Sequence, residues 1–421
     1  MYKEIFKNTT FQFFSRIITT GIGFILTILI ARHFGANSFG EFVKITSFVT
    51  LFYLFVDFGI NAIFIKGNKN FSSLFYLRLI LAVVIFVAAN SIAFILPYDV
   101  RSGVGFSDFA RFGIFVFSFS LFSQAIIFST SGVFQKKLNY KLFMVSQVLG
   151  GVFNLFLIAL LIFFAKPLGF IILSFTLSSI LTAIISLILA TRSPSLRSGV
   201  SGRGEKISTF DITFGKKLFI SSIPLGLMLI FNLIYFRVDI LLLSVLKPNA
   251  DIGIYSIAYK FFDFFIAIPL FLSNSLYPKM LDSLNNKIGF SKIVKNYFLI
   301  YLVFSILIVI PVWFLSPMFS LISAEFANAG LPFRILILSL PMFFLTSFIQ
   351  WVLIAKGVIK FLMYAYLLSA LLNIGLNIIF IPQFSYIASA AVTPVSEAFV
   401  LVLLLFKFRH NRILSEKQNG N

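Results

Sequence analysis

Apolar and polar residues in this chain alternate in long blocks rather than residue by residue. Uninterrupted apolar windows of about 20 residues, the length at which a helix crosses the hydrocarbon of a bilayer, lie near 11–31, 39–63, 74–96, 112–130, 142–164 and 168–190. Six more lie near 218–246, 252–277, 296–315, 331–354, 361–381 and 386–406. A backbone in lipid finds no water for its N–H and C=O groups, so each window predicts an α-helix that satisfies them internally. The expectation is an all-α polytopic membrane protein of about 12 transmembrane helices.

The polar turns between the windows set a direction. With the N-terminus inside, 23 Lys and Arg fall in loops on the cytoplasmic side, and only Arg32, Arg101, Arg111, Lys166 and Lys247 fall outside. Short loops rich in basic residues stay in the cytoplasm, so both termini are expected there. The first window follows Lys3 and Lys7 as a secretory signal would, but it runs on to Ala31 without a small-residue cleavage pattern. It reads as an uncleaved first span.

The longest polar gap, 191–217, contains SPSLRSGVSGRGEK and reads as a flexible cytoplasmic tether. It divides the chain into a six-helix lobe at 1–190, the linker at 191–217, a second six-helix lobe at 218–406 and a cytoplasmic tail at 407–421. The turn into the second window, Phe39-Gly40-Glu41-Phe42, is echoed six windows later by Ile252-Gly253-Ile254-Tyr255. An even offset keeps both repeats in one orientation, so the lobes are expected to be related by a pseudo-two-fold along the membrane normal, around a central cavity.

Composition narrows the function classes. A 421-residue chain that is 59% hydrophobic has more apolar surface than a soluble fold of that length could bury. In a soluble protein a net charge of +20 would suggest a nucleic-acid partner; here the basic residues sit between apolar windows, and no nucleic acid is expected. Cysteine is absent and the two histidines, His33 and His410, lie outside the windows. That removes disulfides, thiolate metal sites and Cys/His nucleophilic pairs, so no metal, cofactor or catalytic residue is expected.

Ionisable groups inside a span cost roughly 2.5 to 3.5 kcal/mol each on insertion scales and persist where they line a wet cavity, pair or snorkel. The set is Arg16, Lys44, Asp57, Arg78, Arg237, Asp239, Lys260, Asp263, Arg334 and Glu397. Arg78 and Arg334 lie near enough to window ends to snorkel, and Arg16 either snorkels or lines a cavity. Lys44 follows Gly40 by four residues and Lys260 follows Gly253 by seven, offsets that fall on one helix face. Both ammonium groups are then expected to face the space between the lobes, unless Lys260 pairs with Asp263. Arg237 and Asp239 point to different sides of their helix, so at least one needs a partner elsewhere. Glu397 is mid-span and too short to snorkel, which leaves a protonation or cation site or a structural hydrogen bond. Several cations in a two-lobed bundle favour an anionic solute, with phosphate the natural guess for Arg and Lys.

The run ARHFGANSFGEFVKITSFVTLFYLFVDFGI at 31–60 resembles the opening of Wzx-type O-antigen flippases, in the polysaccharide-transport family of the multidrug/oligosaccharidyl-lipid/polysaccharide (MOP) exporter superfamily. Asp239-Ile-Leu-Leu-Leu-Ser followed by Ile252-Gly-Ile-Tyr-Ser-Ile-Ala-Tyr-Lys260 is similar to that family's second-lobe opening. Asn373-Ile-Gly-Leu-Asn377, Ile381-Pro382 and Ala388-Ser-Ala-Ala391 are similar to its penultimate hairpin, with Ser389 where Gly is often seen. The motifs are loose and apolar, so they point to the family better than to a substrate. The resemblance implies a flippase rather than an enzyme, in the bacterial inner membrane. It would carry an undecaprenyl-pyrophosphate-linked O-antigen repeat unit from the cytoplasmic to the periplasmic leaflet by alternating access, coupled to an ion gradient. It implies that Arg16, Lys44, Arg237 and Lys260 hold the pyrophosphate and that Asp57, Asp239, Asp263 and Glu397 are coupling candidates. Membrane lipid, an O-antigen polymerase and a chain-length regulator are the implied partners.

Competing readings are a lipid II or multidrug exporter of the same superfamily, or a membrane polymerase or acyltransferase. A cation-rich interior disfavours cationic drugs, and a lipid II flippase would carry two further spans. The enzymes tend to have a large outer loop or an intramembrane His-Asp arrangement, and the chain has neither.

Overall fold

The computed structural model describes residues 2–66, 71–136, 140–192, 212–285 and 290–419. Side chains are not described for 2–16, 410–419, several positions between 270 and 293 and a few helix-end residues. In the first part of the chain the helices are α1 (Tyr2–Asp57), α2 (Ile60–Lys66), α3 (Phe71–Ile95), α4 (Asp108–Ser118), α5 (Ser120–Lys136), α6 (Tyr140–Phe163) and α7 (Leu168–Arg192). They are followed by α8 (Ile212–Leu246), α9 (Asn249–Asn285), α10 (Phe290–Trp313), the single turn α11 (Phe319–Ile322), α12 (Gly330–Leu338), α13 (Leu340–Ala355) and α14 (Ile359–Asn419). One two-stranded antiparallel hairpin, β1 (Tyr98–Asp99) and β2 (Val104–Gly105), interrupts the series.

Ten helical stretches among the described residues are long and apolar enough to cross a membrane, so the chain is a multi-pass membrane protein. Two of them, Ile17–Ile65 and Ile359–Arg409, have 49 and 51 residues. At 1.5 Å per residue each is about 75 Å long, more than twice the hydrocarbon thickness. Each changes direction at a non-helical residue between two apolar windows, Gly35 (φ 73°) or Ser385 (φ 51°); the first stretch is broken again at Phe58 and Gly59, between α1 and α2. Counted as two crossings each, they bring the twelve expected spans. Of the anticipated linker, Ile212 to Lys217 open α8, and 193–211 lie outside the described residues.

The chain divides into two compact units, one made of residues 1–34 and 41–230, the other of residues 35–40 and 231–421. In the first unit α7 packs on α4, α5 and α6, and α5 packs on α2 and α3. Helix α3 shows how lipid and core divide a span. Leu74, Arg78, Ala82, Ala89 and Ala93 form a buried stripe, while Ile80, Val83, Val84 and Val87 are exposed on the opposite side as a lipid-facing stripe. The β1–β2 turn is closed by Asp99, which accepts hydrogen bonds from Ser102 Oγ (2.6 Å) and Arg101 N (3.0 Å). The Ser102 hydroxyl foremost, then the Arg101 amide, hold the Asp99 carboxyl below the usual carboxylate range.

In the second unit α13 is central, packed on α9, α10 and α14, with α12 against α9 and α14. An internal echo appears in the fold. The fourth crossing of the first half is split into α4 and α5 at Phe119, and the fourth of the second half into α12 and α13 at Ser339. At both breaks a serine hydroxyl bonds back to a carbonyl three residues earlier, Ser120 to Phe117 and Ser339 to Leu336, each at 2.5 Å. Serine competes with the helical ladder in this way and bends it.

Candidate functional site

In the second unit, α8 and α9 bring together Arg237, Asp263 and Lys260. Arg237 Nη2 donates to Asp263 Oδ2 at 3.0 Å, and the side chains stay 41% and 30% exposed. The Arg237 guanidinium lies over the Tyr259 ring at 5.4 Å, and the Tyr259 hydroxyl is fixed by the Phe236 carbonyl at 3.0 Å. Arg237 thus finds its partner on the next helix rather than in Asp239 two residues on, as its helical phase requires. Lys260 lies close enough to Asp263 and Arg237 to feel both charges, yet makes no ion pair among the described residues. With Asp263 taken by Arg237, the Lys260 ammonium is left without an ion-pair partner among the described residues.

Two buried carboxyls of this unit have no cation within salt-bridge distance among the described residues. Glu397, 1% exposed on α14, accepts the Tyr235 hydroxyl from α8 at 2.5 Å, with the Thr346 hydroxyl beside it. Asp239, also buried, accepts the Tyr255 hydroxyl and the Ile240 amide at 2.8 Å. On α14, Asn377 Nδ2 donates to Asn373 Oδ1 at 2.7 Å and leaves its own Oδ1 without a partner among the described residues. Burying a carboxyl in lipid-solvated protein with neutral donors only is costly unless it binds a proton or an ion. Tyr235, Tyr255 and Tyr259 are not among the candidate site residues that the sequence singles out. Their signal was there: Tyr255 and Tyr259 are four apart, on one face of the helix that carries Lys260 and Asp263.

Residues 35–40 form a clasp inside the same unit. The Ala36 amide donates to Glu325 Oε2 at 2.5 Å, and the Phe39 ring meets Phe326 edge-on at 5.9 Å. Gly40 and Gly253, the two glycines of the repeated turn, pack backbone to backbone: a Cβ on Gly40 would sit 1.7 Å from the Asn249 carbonyl oxygen, and one on Gly253 2.1 Å from that of Ala36. Only glycine fits at either place.

The remaining span charges lie in the first unit. Lys44 is 1% exposed; its ammonium donates to the Gly105 carbonyl at 2.5 Å and lies over the Phe106 ring, which ties α1 to the β2 strand. Glu41, one turn earlier, accepts Ser107 Oγ at 2.6 Å. Arg78 does not snorkel. It is fully buried and donates to Asp57 Oδ1 at 3.0 Å, because its helical phase places it on the buried stripe of α3. In the second unit, Arg334 is half-buried at α12, held by Ser316 Oγ at 2.7 Å and the Trp313 ring. The Arg16 side chain lies outside the described residues.

Residues 5–284 match the family described as polysaccharide biosynthesis protein, and the chain belongs to it. Residues 224–379 also match the MatE family. No curated protein sequence matches the chain. Among solved structures, a lipid II flippase MurJ in an inward closed conformation superposes with a TM-score of 0.73 at 16% identity, covering 96% of this chain and 87% of that one. An inward-facing multidrug resistance MATE family transporter of the MOP superfamily gives 0.71 at 11% identity, with 94% and 96% covered. The eukaryotic MATE transporter AtDTX14 gives 0.63 at 16% identity, with 96% of each chain covered. At these identities the likeness establishes the fold alone.

Proposed function

We propose that the protein is a flippase that moves an undecaprenyl-pyrophosphate-linked oligosaccharide of the O-antigen type from the cytoplasmic to the periplasmic leaflet of a bacterial inner membrane, by alternating access coupled to an ion gradient. The observation that carries this reading is the Arg237–Asp263–Lys260 cluster, a partly exposed ion pair with a second cation beside it within the spans of a polysaccharide biosynthesis family member. An unpaired ammonium beside an arginine suits a phosphate, which accepts charge-assisted hydrogen bonds from both. The solved lipid II flippase with this fold supports a lipid-linked cargo. Asp57 and Asp263 are paired with Arg78 and Arg237 and hold those cations in place. Asp239 and Glu397, which have no such partner, are the residues we assign to ion coupling. The Lys and Arg distribution supports cytoplasmic termini.

A multidrug exporter is the second reading, favoured by the MatE match over 224–379. A cationic drug would be repelled by Arg237 and Lys260, so one experiment separates the two. Arg237→Gln combined with Lys260→Gln is expected to lower surface polysaccharide in complemented cells to the level of the deletion strain, with an unchanged amount of protein in the membrane. Full surface polysaccharide, or a gain of drug resistance, would remove these residues from an anion site.

A further inference from the structure

In the first unit, at the end of α1, a buried guanidinium is only partly used. Arg78 presents five N–H donors and is fully buried. One nitrogen, Nη2, donates to Asp57 Oδ1 at 3.0 Å and reaches the Asp57 carbonyl at 3.5 Å. Nε and Nη1 have no hydrogen-bond partner among the described residues, and the guanidinium lies over the Phe128 ring at 5.9 Å. Arginine pairs best with a carboxylate when two parallel hydrogen bonds form. Here the contact is end-on, and two donors are left without acceptors among the described residues.

The carboxylate side of the pair is the open one, since the Asp57 side chain is 25% exposed. It also ends a helix under strain. Phe58, directly after Asp57, has φ 46°, a left-handed conformation unfavourable to a bulky side chain, and Gly59 follows at φ 65°. The strained turn is wedged in place: the Phe58 ring stacks on Phe219 at 5.0 Å, and a Cβ on Gly226 would lie 2.8 Å from it. Strain of this kind persists when neighbours over-determine it, and the Asp57–Arg78 bond is one of those neighbours.

We infer that Asp57 occupies the place of a diphosphate, and that Arg78 is the receptor that first captures the diphosphate of a prenyl-linked sugar. The inference rests on the flippase reading and deepens it by naming an entry site. A diphosphate offers enough oxygens to meet Nε, Nη1 and Nη2 together, which the single Asp57 contact does not. Its arrival displaces the carboxylate, and the freed Asp57 releases the strained break between α1 and α2. Substrate capture is thereby joined to movement of the second crossing. Lys66 at the end of α2 and Lys69 beyond it in the sequence, by the preference of basic residues for the cytoplasmic side, put this end there, where the loaded lipid is made available.

The test uses the full-length protein in nanodiscs and measures binding of geranylgeranyl diphosphate, of geranylgeraniol and of inorganic pyrophosphate. Asp57→Asn, which removes the internal competitor, is expected to tighten geranylgeranyl diphosphate about tenfold, and Arg78→Gln to weaken it by at least that factor, neither changing geranylgeraniol. Inorganic pyrophosphate gaining as much as the prenyl form would identify the receptor as one for free anion rather than lipid headgroup. Because Asp57→Asn strands a buried cation and can misfold, a second measurement leaves the pair intact. The chain has no native cysteine, so a spin label on Ala62→Cys reports α2 alone, and it is expected to gain mobility with geranylgeranyl diphosphate and not with geranylgeraniol. An affinity indifferent to Asp57→Asn, or a spin label indifferent to the diphosphate, would overturn this inference. Equal binding of diphosphate and alcohol by the unaltered protein would overturn the anion-carrier reading itself.

Discussion

Glu397→Gln is expected to abolish gradient-driven movement of lipid-linked sugar, down to the level of protein-free vesicles, in a protein that still folds. Glutamine keeps an oxygen for the Tyr235 hydroxyl, which donates to Glu397 at 2.5 Å. The structural bond survives while the capacity to ionise is lost. The unfolding temperature should therefore stay within about 2 °C of the native protein's, as expected when well under 1 kcal/mol is removed from a chain of this size. Asp239→Asn should act in the same direction, since Tyr255 and Ile240 still find an acceptor. Transport in reconstituted vesicles, with and without an imposed gradient, is the measurement. An undiminished rate in the gradient for both variants would make the two carboxyls helix-to-helix fastenings and nothing more.

The second large effect concerns the clasp. Gly253→Val or Gly40→Val places side-chain atoms within about 2 Å of backbone carbonyls, where no rotamer offers an escape. Overpacking that can be relieved by side chains costs about 1–3 kcal/mol; here only the backbone can move, so the 35–40 segment must leave its seat. Its Ala36–Glu325 hydrogen bond and Phe39–Phe326 contact go with it. The readout is maleimide labelling of Ala36→Cys, buried in the closed clasp, in a chain free of other cysteines. Labelling should be fast in the Gly253→Val background and slow without it, and surface polysaccharide should fall. Gly375→Ala is the control, since a Cβ there meets nothing within 4 Å, and it should leave labelling and transport unchanged. Slow labelling in Gly253→Val would mean the clasp is not held by glycine contact.

The spans were legible in the sequence because lipid imposes one solution on a long apolar run, a helix with its backbone satisfied. The two places where continuous helix hides two crossings, at Gly35 and Ser385, were legible through length alone. Charge placement was harder to read. Arg78 was judged by its distance from the span end, which allows snorkelling, but its fate follows from phase. Leu74, Ala82, Ala89 and Ala93 share its face and are small or buried, while the opposite face carries Ile80, Val83, Val84 and Val87. That contrast was in the sequence and outweighs distance from the end.

Lys44 shows a limit of another kind. The offset from Gly40 leads to the expectation that it faces the space between the lobes; its ammonium is instead buried in the first unit on a carbonyl of the β2 strand, 61 residues on, a long-range pairing that helical spacing does not disclose. The choice of Asp263 between Lys260 and Arg237 was likewise undetermined by spacing, since it depends on how α8 packs beside α9. The repeated Gly40 and Gly253 turns were found as an echo in the sequence. That each exists to let the other's backbone approach could be read only from the fold.

The central claim is that the chain carries a diphosphate-linked sugar across the membrane, and the most direct measurement is of where such lipids accumulate when it is absent. In a deletion strain, undecaprenyl-linked repeat units extracted and probed by leaflet-selective labelling are predicted to accumulate on the cytoplasmic leaflet, and to reach the periplasmic leaflet again when the gene is restored. Single repeat units appearing outside, unpolymerised, in the deletion strain would contradict the account and assign the protein to a later step.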